Sequence, residues 1–280
     1  MRNKILQYLE TIPALSPTIA KIVELSESQS TSASNLVQAI KLDPVLTLKI
    51  LKLINSAYFS MPSHITSINR AIVLLGMNTI KNVALSAEVL SSFNPKGGTH
   101  FDVEKFWEHS LACAVASKLL AQESAHNREK HEDYFIAGLI HDIGKIFIIK
   151  YFPAEYFSAC ENAASYQSLL QEEKKIFSVD HAEIGALISE KWALPDELIA
   201  SVKFHHSIGE YEGDSIMPAA VYLSNYYCNM NGYESSTGLI PSDIMDEDDW
   251  ENIHIEKGKA EEILSILDER VEEARVFIKT

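Results

Sequence analysis

Helix punctuation is the feature that most constrains this chain, because apolar residues recur at helical spacing between clear helix starts. Ser16 and Pro17 precede one apolar stripe, and Asp43 and Pro44 precede another. A polar N-cap followed by proline at the first helical position is typical of a helix start. Val/Ile/Thr alternation between hairpin turns is hard to find. The pattern therefore predicts an all-α fold.

Composition divides the chain at residues 94–100, a stretch rich in Gly, Pro and polar residues that is typical of a linker. The linker therefore separates a helical first part, residues 1–95, from a helical second part, residues 96–235. An acidic loop and a C-terminal helix are expected over 236–280. Within the second part, a helical stretch is expected over 153–170.

The net charge of −15, from 24 basic and 39 acidic residues, argues against a general role on nucleic acid, since such proteins usually carry a basic face. A local positive site would still suit a small phosphorylated ligand. No apolar run approaches the length of a membrane span, and the N-terminus lacks the pattern of a signal peptide. Cys113, Cys160 and Cys228 are widely spaced and odd in number. They favour neither a disulfide framework nor a CxxC metal site, so a cytoplasmic protein that contacts no membrane is expected.

The segment IAGLIHDIGKI, residues 136–146, places His141 and Asp142 side by side among apolar residues of a helix. An ionised carboxylate is very costly to bury without a partner. Its compensation must be a hydrogen-bond network, an ion pair or a metal.

Ten histidines are present, and five of them lie next to apolar residues in helices or at helix ends of the second half: His109, His141, His181, His205 and His206. The other five fall in polar loops or tails: His64, His100, His126, His131 and His254. Imidazole is the commonest metal ligand, and a carboxylate can bridge two metals. Such a sulfur-free set of histidines with Asp142 suits iron, manganese, zinc, cobalt or nickel better than calcium or magnesium.

Each residue also has a simpler interpretation. His109 would hydrogen-bond within the core, His205 and His206 would stabilise a helix C-terminus as charges, and Asp142 would pair with Lys145 one turn later. Taken singly, these interpretations are favoured. Five histidines within about 100 residues of one half of the chain favour a shared site.

The motifs HDIGK (141–145), HAEIGA (181–186) and FHH (204–206), preceded by His109, resemble the HD superfamily of metal-dependent phosphohydrolases, especially its HD-GYP branch. The first half resembles the HDOD family through IPALSPTIAKIVEL, AIKLDPVLTLKILKLINSAYF and ITSINRAIVLLG. The resemblance extends from about Ile12 to Tyr227. It implies an all-α fold of two helical lobes, an N-terminal helical bundle and an HD-like helical bundle.

The resemblance also implies a ligand set. His109, His141 and Asp142 match the opening HD ligands, and His181, His205 and His206 match the further ligands of a binuclear centre. Lys145 matches a phosphate-contacting lysine, which makes Lys145 and Asp142 the candidate catalytic residues. The closing aspartate of the family pattern falls at Asn225, whose amide oxygen can ligate but brings no charge. Up to two divalent transition-metal ions are implied, iron or manganese first and zinc, nickel or cobalt after them.

Two functions from different classes follow from the resemblance. The first is a bacterial signal-transduction module that binds metal and meets partner signalling proteins. The second is a metal-dependent phosphohydrolase acting on a nucleotide or a cyclic dinucleotide, although SIGEYEGDS follows His206 where the Gly-Tyr-Pro motif belongs. A serine hydrolase is excluded because the chain has no GxSxG elbow.

Overall fold

The computed structural model describes residues 1–27, 32–92, 101–124, 130–213, 216–235, 237–242, 245, 249–250 and 252–279. These residues contain helices and no strand, so the predicted all-α fold is confirmed. The helices are α1 (Arg2–Thr11), α2 (Pro17–Glu27), α3 (Ala33–Lys41), α4 (Pro44–Ile54), α5 (Ile68–Leu75), α6 (Met77–Ser92), α7 (Val103–Glu123), α8 (His131–Ile140), α9 (Ile143–Tyr151), α10 (Pro153–Asn162), α11 (Tyr166–Phe177), α12 (His181–Lys191), α13 (Asp196–Phe204), α14 (Met217–Met230), α15 (Lys257–Leu264) and α16 (Leu267–Ala274).

Two helices begin at the caps that the sequence predicts. Ser16 Oγ accepts a hydrogen bond from the backbone of Ile19 at 3.3 Å, and Asp43 Oδ1 accepts one from Leu46 at 2.9 Å. Each bond satisfies a backbone donor that the first helical turn leaves without an intrahelical partner. The helix that starts at Pro44 then buries its apolar stripe against α6. Local sequence therefore determines where these helices begin, and packing of their apolar faces stabilises them.

Two predicted helices are each divided in the structure. The stretch expected over 153–170 breaks at residues 163–165, where Ser165 caps a new helix that continues to Phe177. The expected single C-terminal helix breaks between α15 and α16, at residues 265–266. The apolar period continues across both breaks, so periodicity alone does not locate them.

Helix α7 lies at the centre of the second half and packs on α8, α14, α15 and α16. Small side chains allow α8 to approach it closely. A Cβ added at Gly138 would lie 2.6 Å from the backbone oxygen of Cys113, so this crossing requires glycine. The close crossing brings His109 of α7 next to the residues that follow α8.

The apolar core is continuous from Ile5 to Phe277. Helix α6 of the first half contacts α2, α4 and α5 and also α8 of the second half. Lys81 Nζ of α6 lies 3.1 Å from Asp133 Oδ1 of α8. The linker predicted at 94–100 lies outside the described residues, and the domain limits predicted from it stay a prediction.

Among the described residues, no single helix is both long and apolar enough to cross a membrane. By length and composition alone, α5 and α6 would pass that test as a pair, bent by 120° where they meet.

His141 and Asp142 do not lie within one helix, which corrects the sequence interpretation. They form the turn between α8 and α9. Asp142 is the residue before the first turn of α9, yet its side chain makes no capping hydrogen bond. Its carboxylate points instead into a cluster of histidines. Two residues later, a Cβ added at Gly144 would lie 1.9 Å from the backbone oxygen of His181, so glycine lets α9 cross the start of α12.

Candidate metal centre

The carboxylate of Asp142 is the centre of the site, and it is fully buried. Its Oδ2 lies 3.4 Å from His141 Nε2 and 3.8 Å from His109 Nε2. Its Oδ1 lies 3.3 Å from His205 Nε2 and 3.4 Å from His181 Nε2. We call these two groups the Oδ2 side and the Oδ1 side. Four imidazole nitrogens from four parts of the chain thus converge on one carboxylate.

Each of the four histidines is oriented through its other ring nitrogen. Three Nδ1 atoms face backbone carbonyl oxygens, which only accept hydrogen bonds, so these Nδ1 atoms carry the proton. The partners are Tyr233 O at 2.6 Å from His109, Gly138 O at 2.7 Å from His141 and Val202 O at 2.6 Å from His205. His181 Nδ1 donates instead to Glu173 Oε2 at 2.7 Å. This arrangement is typical of histidines that ligate a metal through Nε2.

Three atoms of the cluster are buried without a hydrogen-bond partner: His141 Nε2, His205 Nε2 and Asp142 Oδ1. A buried polar atom without a partner costs about 1–3 kcal/mol. A divalent cation would bind these lone pairs, and a set of imidazole nitrogens and carboxylate oxygens suits a transition metal. The residues present therefore fit a metal.

Lys145 balances the charge of Asp142. Its Nζ donates to Asp142 Oδ2 at 2.6 Å and to Tyr166 Oη at 3.1 Å. Burial alone would raise the pKa of Asp142, but Lys145 and His141 hold it well below its usual value. Burial alone would likewise lower the pKa of Lys145, but Asp142 and Tyr166 raise it. Both groups are therefore charged at neutral pH, and the predicted pairing of these two residues is present inside the histidine cluster.

The histidines differ in protonation. Burial lowers the pKa of His109 to about 3 and that of His205 to about 4, so both rings are neutral at pH 7. Burial would also lower the pKa of His181, but the Glu173 carboxylate raises it to about 9. His181 Nε2 lies 3.1 Å from His206 Nε2, and burial lowers the pKa of His206 well below its usual value. Of the four histidines compared in this paragraph, only His181 is doubly protonated at neutral pH, so a metal that binds its Nε2 must displace a proton.

A cleft opens the Oδ1 side to solvent. His205, His206 and Asn225 line it together with Tyr166 and Tyr226. Asn225 lies on α14, and its Oδ1 accepts a hydrogen bond from Asn229 Nδ2 at 2.8 Å. The structure therefore places the predicted seventh ligand at the cleft, with its amide oxygen already engaged.

Three residues of the site are not predicted from the sequence. Cys113 lies one turn after His109, with its Sγ 3.6 Å from His109 Nε2. That spacing of four residues on one helix was a usable signal. Glu173, which orients His181, and Tyr166, which holds Lys145, carry no comparable local pattern.

The remaining histidines that the structure describes lie apart from this cluster. His64 is exposed in the loop before α5, His131 begins α8, and His254 follows the acidic segment. His100 and His126 fall outside the described residues. The grouping of five of the ten histidines by their apolar neighbours thus matches the five that the structure brings together.

Comparison with known proteins gives the family. Residues 12–208 match the family model of the HDOD domain. An uncharacterized protein of Treponema pallidum (strain Nichols) is 27% identical over 204 residues, which are 71% of this chain and 38% of that protein. The chain therefore spans well under half the length of this curated relative.

Solved structures share the fold. A candidate phosphohydrolase of Shewanella amazonensis SB2B superposes with a TM-score of 0.74 at 22% identity, covering 98% of this chain and 97% of that one. A candidate signal transduction protein of Marinobacter aquaeolei VT8 gives a TM-score of 0.78 at 18% identity, over 100% of this chain and 62% of that one. At such identities the likeness concerns the fold. Since the family model covers most of the sequence, this chain belongs to the HDOD domain family.

Proposed function

We propose that this HDOD protein is a bacterial signal-transduction module that binds up to two divalent transition-metal ions. The observation that carries the proposal is the pair of buried, unpartnered Nε2 atoms on His141 and His205. They lie 3.4 Å and 3.3 Å from opposite oxygens of Asp142. A hydrogen-bonded core would leave neither of these atoms without a partner.

The proposed ligands divide between the two sides of Asp142. His109 and His141 would bind an ion on the Oδ2 side, and Asp142 would bridge to a second ion on the Oδ1 side. The ligands proposed for the second ion are His181, His205 and His206, and Asn225 is the candidate for the closing position of the first ion. Iron and manganese are the proposed metals, and zinc, nickel and cobalt are the alternatives, because all of them accept mixed nitrogen and oxygen donors.

Elemental analysis of full-length protein, purified without a histidine tag or chelator, tests this proposal. We expect close to two transition-metal ions per chain. His141→Ala and Asp142→Ala should each remove metal, whereas His64→Ala, in an exposed loop, should not. Equal metal content in all three variants, or no metal in the wild type after incubation with iron or manganese, would overturn the proposal.

Partner signalling proteins and a cytoplasmic location are part of the same proposal. Likeness of fold to a candidate signal transduction protein supports the signalling role. The three cysteines form no disulfide in the structure, which suits a reducing compartment. Cross-linking in the producing cells, followed by cell fractionation, tests both points. The protein should be recovered with cytoplasmic signalling proteins, and recovery only in a membrane fraction would contradict both.

A second candidate function, phosphoester hydrolysis, is favoured by one observation. The buried Lys145 ammonium lies beside Asp142 and Tyr166, and Tyr166 also lines the open cleft next to His206. A cation at this place is suited to a small phosphorylated ligand such as a nucleotide or a cyclic dinucleotide. In this function Lys145 would stabilise negative charge that develops on the phosphoryl oxygens, and Tyr166 would keep Lys145 in position. A bound metal supplies a water of lowered pKa and polarises the phosphoryl group.

Lys145→Gln distinguishes hydrolysis from metal binding alone. If the site is hydrolytic, metal-loaded wild type will cleave a member of a panel of nucleotides and cyclic dinucleotides, and the variant will lose about 100-fold in kcat while keeping its metal. Metal-loaded wild type without turnover on the whole panel would count against hydrolysis and leave the signalling module as the function.

A further inference from the structure

Cys113 occupies a position on the Oδ2 side that the family ligand set does not include. It lies one helical turn after His109 on α7 and is fully buried. Its Sγ, one ring nitrogen of His109 and one of His141 all lie within 4.8 Å of one another. The thiol is therefore close enough to share a cation with both histidines.

A second observation points to a ligand at this place. His141 Nε2 is fully buried and has no hydrogen-bond partner, and it lies 3.4 Å from Asp142 Oδ2. The thiol thus borders an imidazole lone pair that lacks a donor. Two imidazoles, one carboxylate oxygen and one sulfur make four candidate donors. Structural zinc sites have four protein ligands, and catalytic zinc sites have three and a water or substrate.

The charge of the site supports the same conclusion. Where the family pattern has its closing aspartate, this chain has Asn225, which brings no charge and whose Oδ1 accepts a hydrogen bond from Asn229. The Oδ2 atom of Asp142 is in turn shared with Lys145. An ion on this side therefore meets less negative charge than a full set of carboxylates would provide, and a thiolate would restore one charge.

We propose that Cys113 is a metal ligand, whose thiolate joins His109, His141 and Asp142 on the Oδ2 side and shifts the preference of that side from manganese towards zinc or cobalt. The inference rests on the proposed metal centre. Binding forms one sulfur–metal bond and releases the thiol proton to solvent, so no electron is transferred. Thiolate ligands favour zinc and cobalt over manganese because the harder manganese ion prefers oxygen donors.

The chain offers two matched controls. Cys228 is also fully buried, on α14, and its thiol lies within hydrogen-bonding reach of Cys113. It is absent from the group that Cys113 forms with His109 and His141. Cys160 is half-buried on α10. Replacing either cysteine alters a thiol without removing the proposed ligand.

Cobalt binding to the full-length protein tests the inference. Protein stripped with chelator is loaded with Co²⁺, and bound cobalt is measured together with the near-ultraviolet charge-transfer band that sulfur ligation produces. We expect the band in wild type, Cys228→Ser and Cys160→Ser, and its loss in Cys113→Ser. Zinc affinity of Cys113→Ser should fall by about 10-fold or more.

Each other outcome has a separate meaning. Bound cobalt without the band, or a band that survives in Cys113→Ser, would overturn the role of Cys113 and leave the metal centre standing. No bound cobalt, zinc or iron in the wild type would overturn the metal centre itself. If Cys113→Ser fails to fold, X-ray absorption of zinc-loaded wild type decides without a variant: a sulfur neighbour at about 2.3 Å supports the inference, and a shell of nitrogen and oxygen alone overturns it.

Discussion

The two sides of Asp142 are built from similar donors but differ in access and charge. The Oδ2 side, with His109 and His141, is enclosed, and its oxygen already accepts a hydrogen bond from Lys145. The Oδ1 side borders the cleft through His205 and His206, and its oxygen has no hydrogen-bond partner. One carboxylate therefore faces a closed environment and an open one.

This difference suggests a division of roles. An ion on the Oδ2 side would be shielded from solvent and would hold the turn between α8 and α9 in place. An ion on the Oδ1 side would meet ligands that enter the cleft. The sequence suggests no such asymmetry, because all five histidines have similar apolar neighbours. It arises from the tertiary positions of Lys145 and Tyr166.

The largest effect is expected from Asp142→Asn, because both sides share this carboxylate. The variant keeps the size of the side chain but removes its charge, so both ions should be lost. It also leaves the buried Lys145 ammonium uncompensated, which should lower the free energy of unfolding by about 3–5 kcal/mol. Elemental analysis and urea unfolding with chelator measure the two effects. Asp133→Asn, which disturbs the ion pair with the buried Lys81 away from the site, is the control for metal content and should keep both ions. Retention of one ion by the variant would show that the two sides do not depend on one carboxylate.

A smaller effect on one side only is expected from Glu173→Gln. Glu173 orients His181 through Nδ1 and makes no contact with the Oδ2 side in the described structure. Loss of such an orienting carboxylate typically weakens metal binding about 10–100-fold. In titrations that resolve two binding steps, only the step of the Oδ1 side should weaken. Glu172→Gln, at the neighbouring position in an exposed pair with Lys175, should leave both steps unchanged. Equal weakening of both steps would contradict the division.

The smallest effect concerns the pH dependence of the chelated protein. The pKa of His181 is about 9 when folded and about 6.5 when unfolded, so its stabilising contribution is complete below pH 6.5 and is lost as pH rises through 9. The pKa of His109 and of His205 falls to about 3 and about 4, so their contribution is complete above pH 6.5 and is lost as pH falls towards those values. Each group changes the free energy of unfolding by at most about 1.4 kcal/mol per pH unit.

Urea unfolding at several pH values checks this expectation. Glu173→Gln removes the carboxylate that raises the pKa of His181. The free energy of unfolding should therefore fall less steeply between pH 6.5 and 9, and its fall at acid pH should be nearly unchanged. If the free energy of unfolding falls equally steeply between pH 6.5 and 9 in both proteins, His181 is not held protonated by Glu173.

Much of the fold was predictable because several helix starts are determined by the capping residues at those positions. Ser16 and Asp43 cap their helices as their sequence context indicates, and Asp180 and Glu183, three residues apart, form a capping box at the start of α12. The breaks inside apolar stretches were not predictable. The turn at His141 and Asp142 depends on tertiary packing rather than on a local breaker, since Gly138 and Gly144 serve close helix crossings.

The site was predictable where several rare residues share one environment, as the five histidines do. Their convergence is a property of the packing of α7, α8, α12 and α13, which the spacing along the chain does not encode. Glu173 was missed because an acidic residue on an amphipathic helix is usually solvated, whereas here it is fully buried against His181. Cys113 was missed because cysteine was assessed by CxxC spacing rather than by its distance of one turn from a histidine.

Anomalous X-ray diffraction from crystals of full-length protein loaded with iron tests most directly whether Asp142 holds two ions. We expect two anomalous peaks at Asp142, one beside each carboxylate oxygen, with His141 at one peak and His205 at the other. Absence of any peak at Asp142, with metal bound elsewhere or not at all, would contradict this expectation.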